Sequence, residues 1–265
     1  MSIASRTATV GDLLGDWRQR RRLSQLDLAL EAQVSARHLR FVETGRSQPS
    51  RELVIDLAEQ LEVPLRERNA MLLAAGYAPV YGETPLDTAE MAPVREALDR
   101  LLGGHEPFPA VVTDRRWDLI SANRPAQALL SGGVAPDLLD PPINTLRVCL
   151  HPGGLAPRIV NFAEYSAHLM EQLHRQAVLT GDHALFELEK EFRGYPGVCE
   201  ADSHDPMSAL FVPLVFLAGE DLELRFFSTL TTFGTALDIT MAELTIEALF
   251  PADEATAAAV RAAWG

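Results

Sequence analysis

Apolar residues recur three and four positions apart through the first 75 residues, and in the last third they alternate with polar ones in short runs. The first texture predicts five helices, over residues 10–22, 24–31, 35–43, 50–61 and 64–75. In the second of them Leu26, Ala29 and Leu30 are expected to form the inward face, and the small Ala29 would let the next helix cross closely. In the third, Leu39 and Val42 point inward, and in the fourth Val54, Leu57, Ala58 and Leu61 form a stripe. The punctuation agrees. Thr9 with Asp12, and Ser24 with Asp27, have capping-box spacing, with Asp in place of the usual Glu or Gln. Ser35 is a good N-cap, Gly45 can take the left-handed conformation that closes a helix, and Pro64 sits where a first-turn proline is tolerated.

Residues 77–92, YAPVYGETPLDTAEMA, hold two prolines and a glycine and have no sustained apolar period. They divide the chain into a first domain at 1–78, a linker at 79–92 and a second domain at 93–265. The second domain opens with a helix over 93–102, Val94, Leu98 and Leu101 on one face, stopped by Gly103-Gly104. Strands at 108–113 and 117–121 flank the turn Asp114-Arg115, and Asn123 caps a helix to residue 130. Helices follow over 159–179, with Phe162, Tyr165, Leu169, Leu173 and Ala177 in step, and over 182–192. Strands are then expected at 209–217, 222–233 and 243–250, the first two separated by the turn at 218–221, before a last helix at 255–264. Leu222, Leu224 and Phe226 alternate with Glu223 and Arg225, the pattern of a half-buried strand. The fold class is α+β: an all-α five-helix domain, then an α+β domain with an antiparallel sheet of about five strands. Helices on one face of that sheet would leave a concave space suited to a small apolar ligand.

Residues 23–49, LSQLDLALEAQVSARHLRFVETGRSQP, read as helix, tight turn, helix and glycine stop. The second helix carries Arg37, His38 and Arg40 away from Leu39 and Val42, which is how a DNA-reading helix-turn-helix looks in sequence. The run Arg20-Arg21-Arg22 is either a solvated helix face or a phosphate contact. The phrases LGDWRQRRRLSQ, ARHLRFVETGR and DLAEQLEVPLRERNAMLLAAGY resemble the lambda-repressor-like, or XRE-type, helix-turn-helix across residues 9–76. The closing AAGY is similar to the MmyB-like subgroup of those regulators. The resemblance implies that Ala36, Arg37 and Arg40 lie where base-edge contacts occur, with His38 beside them. It implies that Gln25 touches the DNA backbone, that Ser35 and Arg46 meet phosphates, and that Arg18 and Glu43 form a structural pair. Further on, AVVTDRRWDLISANRPAQALL resembles the opening of a PAS-like sensor fold and of the MmyB-like ligand-binding domain. INTLRVCLHP, with Asn144 and Arg147, resembles that family's N-x-x-R stretch.

Charge fits this division once it is split. The chain of 265 residues carries a formal net charge of −14. Eleven arginines face ten acidic residues in the first 80 positions, net +1, which leaves −15 for the remainder. An acidic second domain repels non-specific DNA and confines binding to the local basic face. Lys190 is the only lysine, a bias that a GC-rich genome also explains. The first ten residues are polar and no run reaches membrane-span length, so a cytoplasmic protein, at the nucleoid when bound to DNA, with no membrane partner is expected. Cys149 and Cys199 form no CxxC and read as buried inert thiols, with redox sensing as the alternative.

In the second domain Trp117, Tyr165 and Phe227 are bulky enough to line a ligand site or simply to fill the core. Arg147 would anchor a ligand carboxylate or pair with one of the many acidic residues. His151, His168, His174 and His183 lack metal-site spacing, His204-Asp205 reads as a loop pair, and no metal is expected. No GxSxG, Walker loop or strand-following GxGxxG occurs, so neither catalytic residues nor a cofactor are expected. Two readings of the second domain stay open. A sensor of a small, fatty-acid-like apolar or carboxylate ligand should enclose a cavity. A protein-protein interaction module should be packed solid and expose an apolar patch. Either would serve a homodimer reading a palindromic operator with half-sites about one helical turn apart in double-stranded DNA.

Overall fold

Polar side chains start four of the first five helices. In the computed structural model, which describes residues 8–199, 212–219 and 222–265, these are α1 (Val10–Arg20), α2 (Gln25–Glu31), α3 (Ala36–Glu43), α4 (Arg51–Gln60) and α5 (Leu65–Ala74). Thr9 and Ser24 each complete a reciprocal capping box with Asp12 and Asp27. The Ser35 and Ser50 side chains accept from the N–H groups of His38 and Leu53. Each such cap is worth about 1 kcal/mol. The Ser24 hydroxyl and N–H also hold the Asp27 carboxyl below the usual carboxylate range. Gly45 follows α3 at φ 69°, as its position after the last helical turn requires.

The chain divides into two units, Met1–Glu83 with Leu237–Ile239 and Thr84–Ala236 with Thr240–Gly265. The core of the first gathers Leu14, Trp17, Leu28, Leu39, Val42, Leu57, Leu61 and Leu72. One expectation for α2 is corrected. Leu26 and Leu30 are exposed at 58% and 68%, and the buried pair is Leu28 and Ala29. On a seven-residue helix two i, i+4 leucines can face either way, and packing against α3 and α4 sets the roll that buries Leu28. Helix α1 approaches α3 tightly at Gly11, where an added Cβ would lie 2.5 Å from the Glu43 carbonyl oxygen. Residues 79–83, within the expected linker, are pinned to the first unit by Asn69. Its side chain accepts from the N–H groups of Val80 and Tyr81 and donates to the Tyr81 carbonyl.

In the second unit, α6 (Ala92–Gly104) opens the domain, and Arg95 donates to the carbonyls of Leu86 and Thr88 ahead of it. Leu98 and Leu102 are its buried residues; Leu101 is exposed, and Gly103 and Gly104 form its last turn instead of stopping it. Strands β1 (Ala110–Thr113) and β2 (Leu119–Ala122) lead to α7 (Arg124–Ser131), capped by Asn123. Helices α8 (Thr145–Leu150), α9 (Phe162–Thr180) and α10 (His183–Arg193) follow. Then come β3 (Leu214–Leu217), β4 (Glu223–Thr232), the single turn α11 (Ile239–Ala242), β5 (Thr245–Pro251) and α12 (Glu254–Trp264). Residues 209–211 of the first late strand, Glu220 and Asp221 of the turn, and His204-Asp205 lie outside the described residues.

The five strands form one antiparallel sheet in the order β2-β1-β5-β4-β3, the strand number and sense read from the sequence. Helices cover both of its faces, not one. Leu98 and Leu102 of α6 pack on Val112 and Ile246. On the other face Leu224 and Phe226 meet Val260 of α12, and Phe216 joins the core of α8, α9 and α10. The reason lies in β1 and β5, where apolar side chains occupy both parities, so neither face can be left to water.

Candidate nucleic-acid interface and ligand cavity

Helix α3 is anchored from within and dressed from without. Leu39 and Val42 are fully buried, and Arg37 and Arg40, on the opposite side, are exposed. The Arg37 guanidinium lies over the Phe41 ring at 5.4 Å, which holds the side chain along the helix surface. Ser35 and Arg46 are exposed at the two ends of α3, and Ala36 and His38 are half-buried beside its first turn.

Beneath this face Arg18 grips Glu43 through two bonds, Nε to Oε1 at 2.7 Å and Nη2 to Oε2 at 3.1 Å. The bond to Glu43 raises the Arg18 guanidinium above its ordinary value. Gln25 also donates to Glu43 Oε2, at 2.6 Å. The glutamine that the resemblance sends to the DNA backbone thus lends its amide to the clamp joining α1, α2 and α3. The arginine run is divided among separate tasks. Arg20 and Arg21 stack on Trp17, and Arg21 donates to the carbonyls of Leu61 and Glu62 at the C-terminal end of α4. Arg22 is exposed.

The second unit holds a partly open apolar cavity of about 90 Å³ between the sheet and α7, α8 and α9. Val111, Leu129, Leu155, Phe216, Phe226 and Leu249 are among the residues that wall it. Three acids share the wall: Glu247, Tyr165 and Cys149. Desolvation pushes the Glu247 carboxyl up, against a bond from Ser228 that lowers it. Burial, reinforced by Glu247, pushes the Cys149 thiol up to about 12 and the Tyr165 phenol well above its usual value. Of the four residues named from sequence as ligand contacts, Tyr165 alone lines this space.

The other three lie elsewhere. Trp117 is buried at a left-handed turn, φ 66°, with its indole N–H bonded to Gln176 at 2.7 Å and its carbonyl accepting from Thr145. Phe227 stacks on Phe250 from the opposite sheet face, and its neighbour Phe226 reaches the cavity instead. Arg147 borders a separate open cleft of about 680 Å³ and is held there by Glu191 through bonds of 2.7 and 2.8 Å. Glu191 raises Arg147, and Arg147 in turn holds the Glu191 carboxyl low. Tyr195 also bonds Glu191, and burial and that bond push its phenol up to about 12. Among the alternatives for Arg147, the ion pair is the one formed. Cys199 is exposed, against the expectation of two buried thiols. His174 pairs with Glu189 at 3.0 Å, and no metal-holding cluster of His, Cys, Asp or Glu occurs among the described residues.

Glu247 went unnoticed in the sequence, although a signal was present. In TIEALF a single acid stands between apolar neighbours, and period two puts it on the face of Leu249, not of Ile246 and Ala248. Gly11 carried no such signal, because its need arises only where two helices meet.

A family model for the MmyB-like transcription regulator ligand binding domain matches residues 94–263, and a helix-turn-helix model matches residues 14–68. The chain belongs to the MmyB-like transcription regulators. It therefore joins a DNA-binding helix-turn-helix domain of XRE type to a ligand-binding domain, and both matched families are regulatory. No curated protein sequence matches it. Among solved structures, an RNA-binding light-oxygen-voltage receptor aligns over 97% of this chain at 13% identity and a TM-score of 0.28, a likeness that carries no argument. The alignment spans 62% of that receptor's chain. Among the described residues no helix is long and apolar enough to cross a membrane.

Proposed function

We propose that this MmyB-like regulator reads an operator as a homodimer and that a small ligand in the second domain controls its binding. The exposure of Arg37 and Arg40 on a helix fixed from below by Leu39, Val42 and the Arg18–Glu43–Gln25 clamp carries the DNA half of this reading. Arg37 and Arg40 read base edges, each able to donate two bonds to a guanine. Ala36 and His38 shape the contact, and Ser35 and Arg46 position the helix on phosphates. Gln25 reaches the backbone only by sharing its amide with Glu43. The operator is palindromic, with half-sites about one helical turn apart. The protein acts in the cytoplasm, at the nucleoid when bound.

The partly open apolar cavity supports a ligand sensor over a solidly packed interaction module. Ligand would bias the regulator by binding two arrangements of the dimer with different affinity. Bound promoter fragments recovered by genome-wide mapping supply the test. On such a fragment Arg37→Ala and Arg40→Ala should each weaken binding by about 1–3 kcal/mol, and by much less on random duplex. Equal loss on both would overturn the base-reading role. A monomer at the operator in sedimentation would overturn the dimer.

A further inference from the structure

The first unit is not made of the N-terminal stretch alone. Residues 237–239 belong to it, although they lie inside residues 94–263, the stretch matched by the ligand-binding-domain model. They are the tip of the connection between β4 and β5. Thr232 pairs with Thr245 where that connection leaves the sheet, and Phe233 and Leu244 root its two ends in the core that α6 covers. At the tip Asp238 forms a parallel bridge with Gly82, and the buried Ile239 donates its N–H to the Gly82 carbonyl at 2.8 Å.

Both partners of this bond are held stiffly. Gly82 follows the two residues that the buried Asn69 side chain fixes on α5. Arg68 donates to the Tyr81 hydroxyl at 3.2 Å, and Arg66 clasps Glu83 with two bonds. Met71 and Leu72 of the same helix are buried in the core of the first unit. Ile239 is the first residue of α11, and only Glu243 and Leu244 separate that helical turn from β5. Strand β5 carries Glu247 and Leu249 to the cavity wall, and its partner β4 brings Phe226. So short a connection leaves little slack to absorb a displacement of β5 before it reaches the bond.

We infer that the Ile239–Gly82 bond is the link through which the second domain controls the first. A ligand that fits the cavity in one position of β5 favours either the bond made, as in this structure, or the bond broken, with both groups given to water. The exchange of one such bond for water is nearly balanced, so a modest difference in ligand affinity decides it. The inference rests on the proposed control of operator binding by a ligand in the second domain.

Linkage makes such coupling reciprocal, so DNA can stand in for the ligand in its test. Hydrogen exchange of the full chain is followed with and without a promoter fragment recovered by genome-wide mapping. Ile239→Pro removes the N–H at the first helical position, where proline is tolerated, and Ile239→Ala truncates the side chain but keeps the N–H. In the wild type and in Ile239→Ala the fragment should change exchange in β5 by about fivefold or more. In Ile239→Pro that response should vanish, while the fragment still protects α3 in all three proteins. Protection of α3 with no β5 response in the wild type would overturn the inference and leave operator binding standing. A β5 response that survives Ile239→Pro, or is lost equally in Ile239→Ala, would overturn it too. No protection of α3 in any of the three would overturn operator binding itself, and the inference with it.

Discussion

The two units of this regulator keep their working groups in opposite places. The helical unit packs around one leucine-rich core, and the arginines proposed to read DNA, Arg37 and Arg40, stand on its surface. The sheet unit leaves an apolar space between sheet and helices, and an acid, Glu247, lines it at the expense of its own solvation. A surface function asks only that the scaffold be rigid. An interior function asks the scaffold to tolerate a void and an acid, both of which destabilise it. The difference teaches where substitutions should cost stability and where they should change binding alone.

The largest effect is expected at Phe226. Phe226→Ala should destabilise the sheet unit by about 4 kcal/mol, and Phe227→Ala by clearly less, because only the first is fully buried. Equal losses of hydrogen-exchange protection in β4 would contradict the assignment of faces. In the helical unit Leu28→Ala should cost about 3 kcal/mol in the same measurement on α2 and α3. Gly11→Ala should cost about 2 kcal/mol, since the new Cβ meets backbone that must move. An unchanged melting temperature would mean that α1 yields freely.

Glu247→Gln should act in the opposite direction. A carboxyl raised by folding contributes stability below its unfolded value of about 4.3 and loses it as pH rises through the folded one. The wild type is therefore penalised at neutral pH, where the glutamine variant should melt higher. That gain should shrink and vanish as pH falls below about 4. A gain that does not depend on pH would show that the charge is not its cause. The smallest effect belongs to Leu26→Ser and Leu30→Ser, expected within about 0.5 kcal/mol of wild type because both side chains already face water.

The legibility of the sequence follows the same contrast. Caps and spacing marked all five helices of the first unit, because Ser24, Ser35 and Gly45 act on backbone within four residues of themselves. The roll of α2 was misread, because the choice between Leu26 and Leu28 is made by α3 and α4, not by α2. In the second unit the strands were legible from alternation, and of the cavity wall Tyr165 alone was named as a ligand contact. Glu247, Tyr165 and Cys149 are far apart in the chain, and Trp117, Arg147 and Phe227 were chosen for what they are instead of where register puts them.

By itself the sequence determined what local chemistry can determine: which stretches are helix or strand, where helices begin and end, and which short helix bears two arginines on its outer side. Tertiary structure alone decided which parity of β4 and β5 faces the cavity, that Arg147 is spent on Glu191, and that Gly11 sits where two backbones touch. Periodicity fixes which residues share a side of an element. Only a partner element fixes whether that side meets water, protein or a void.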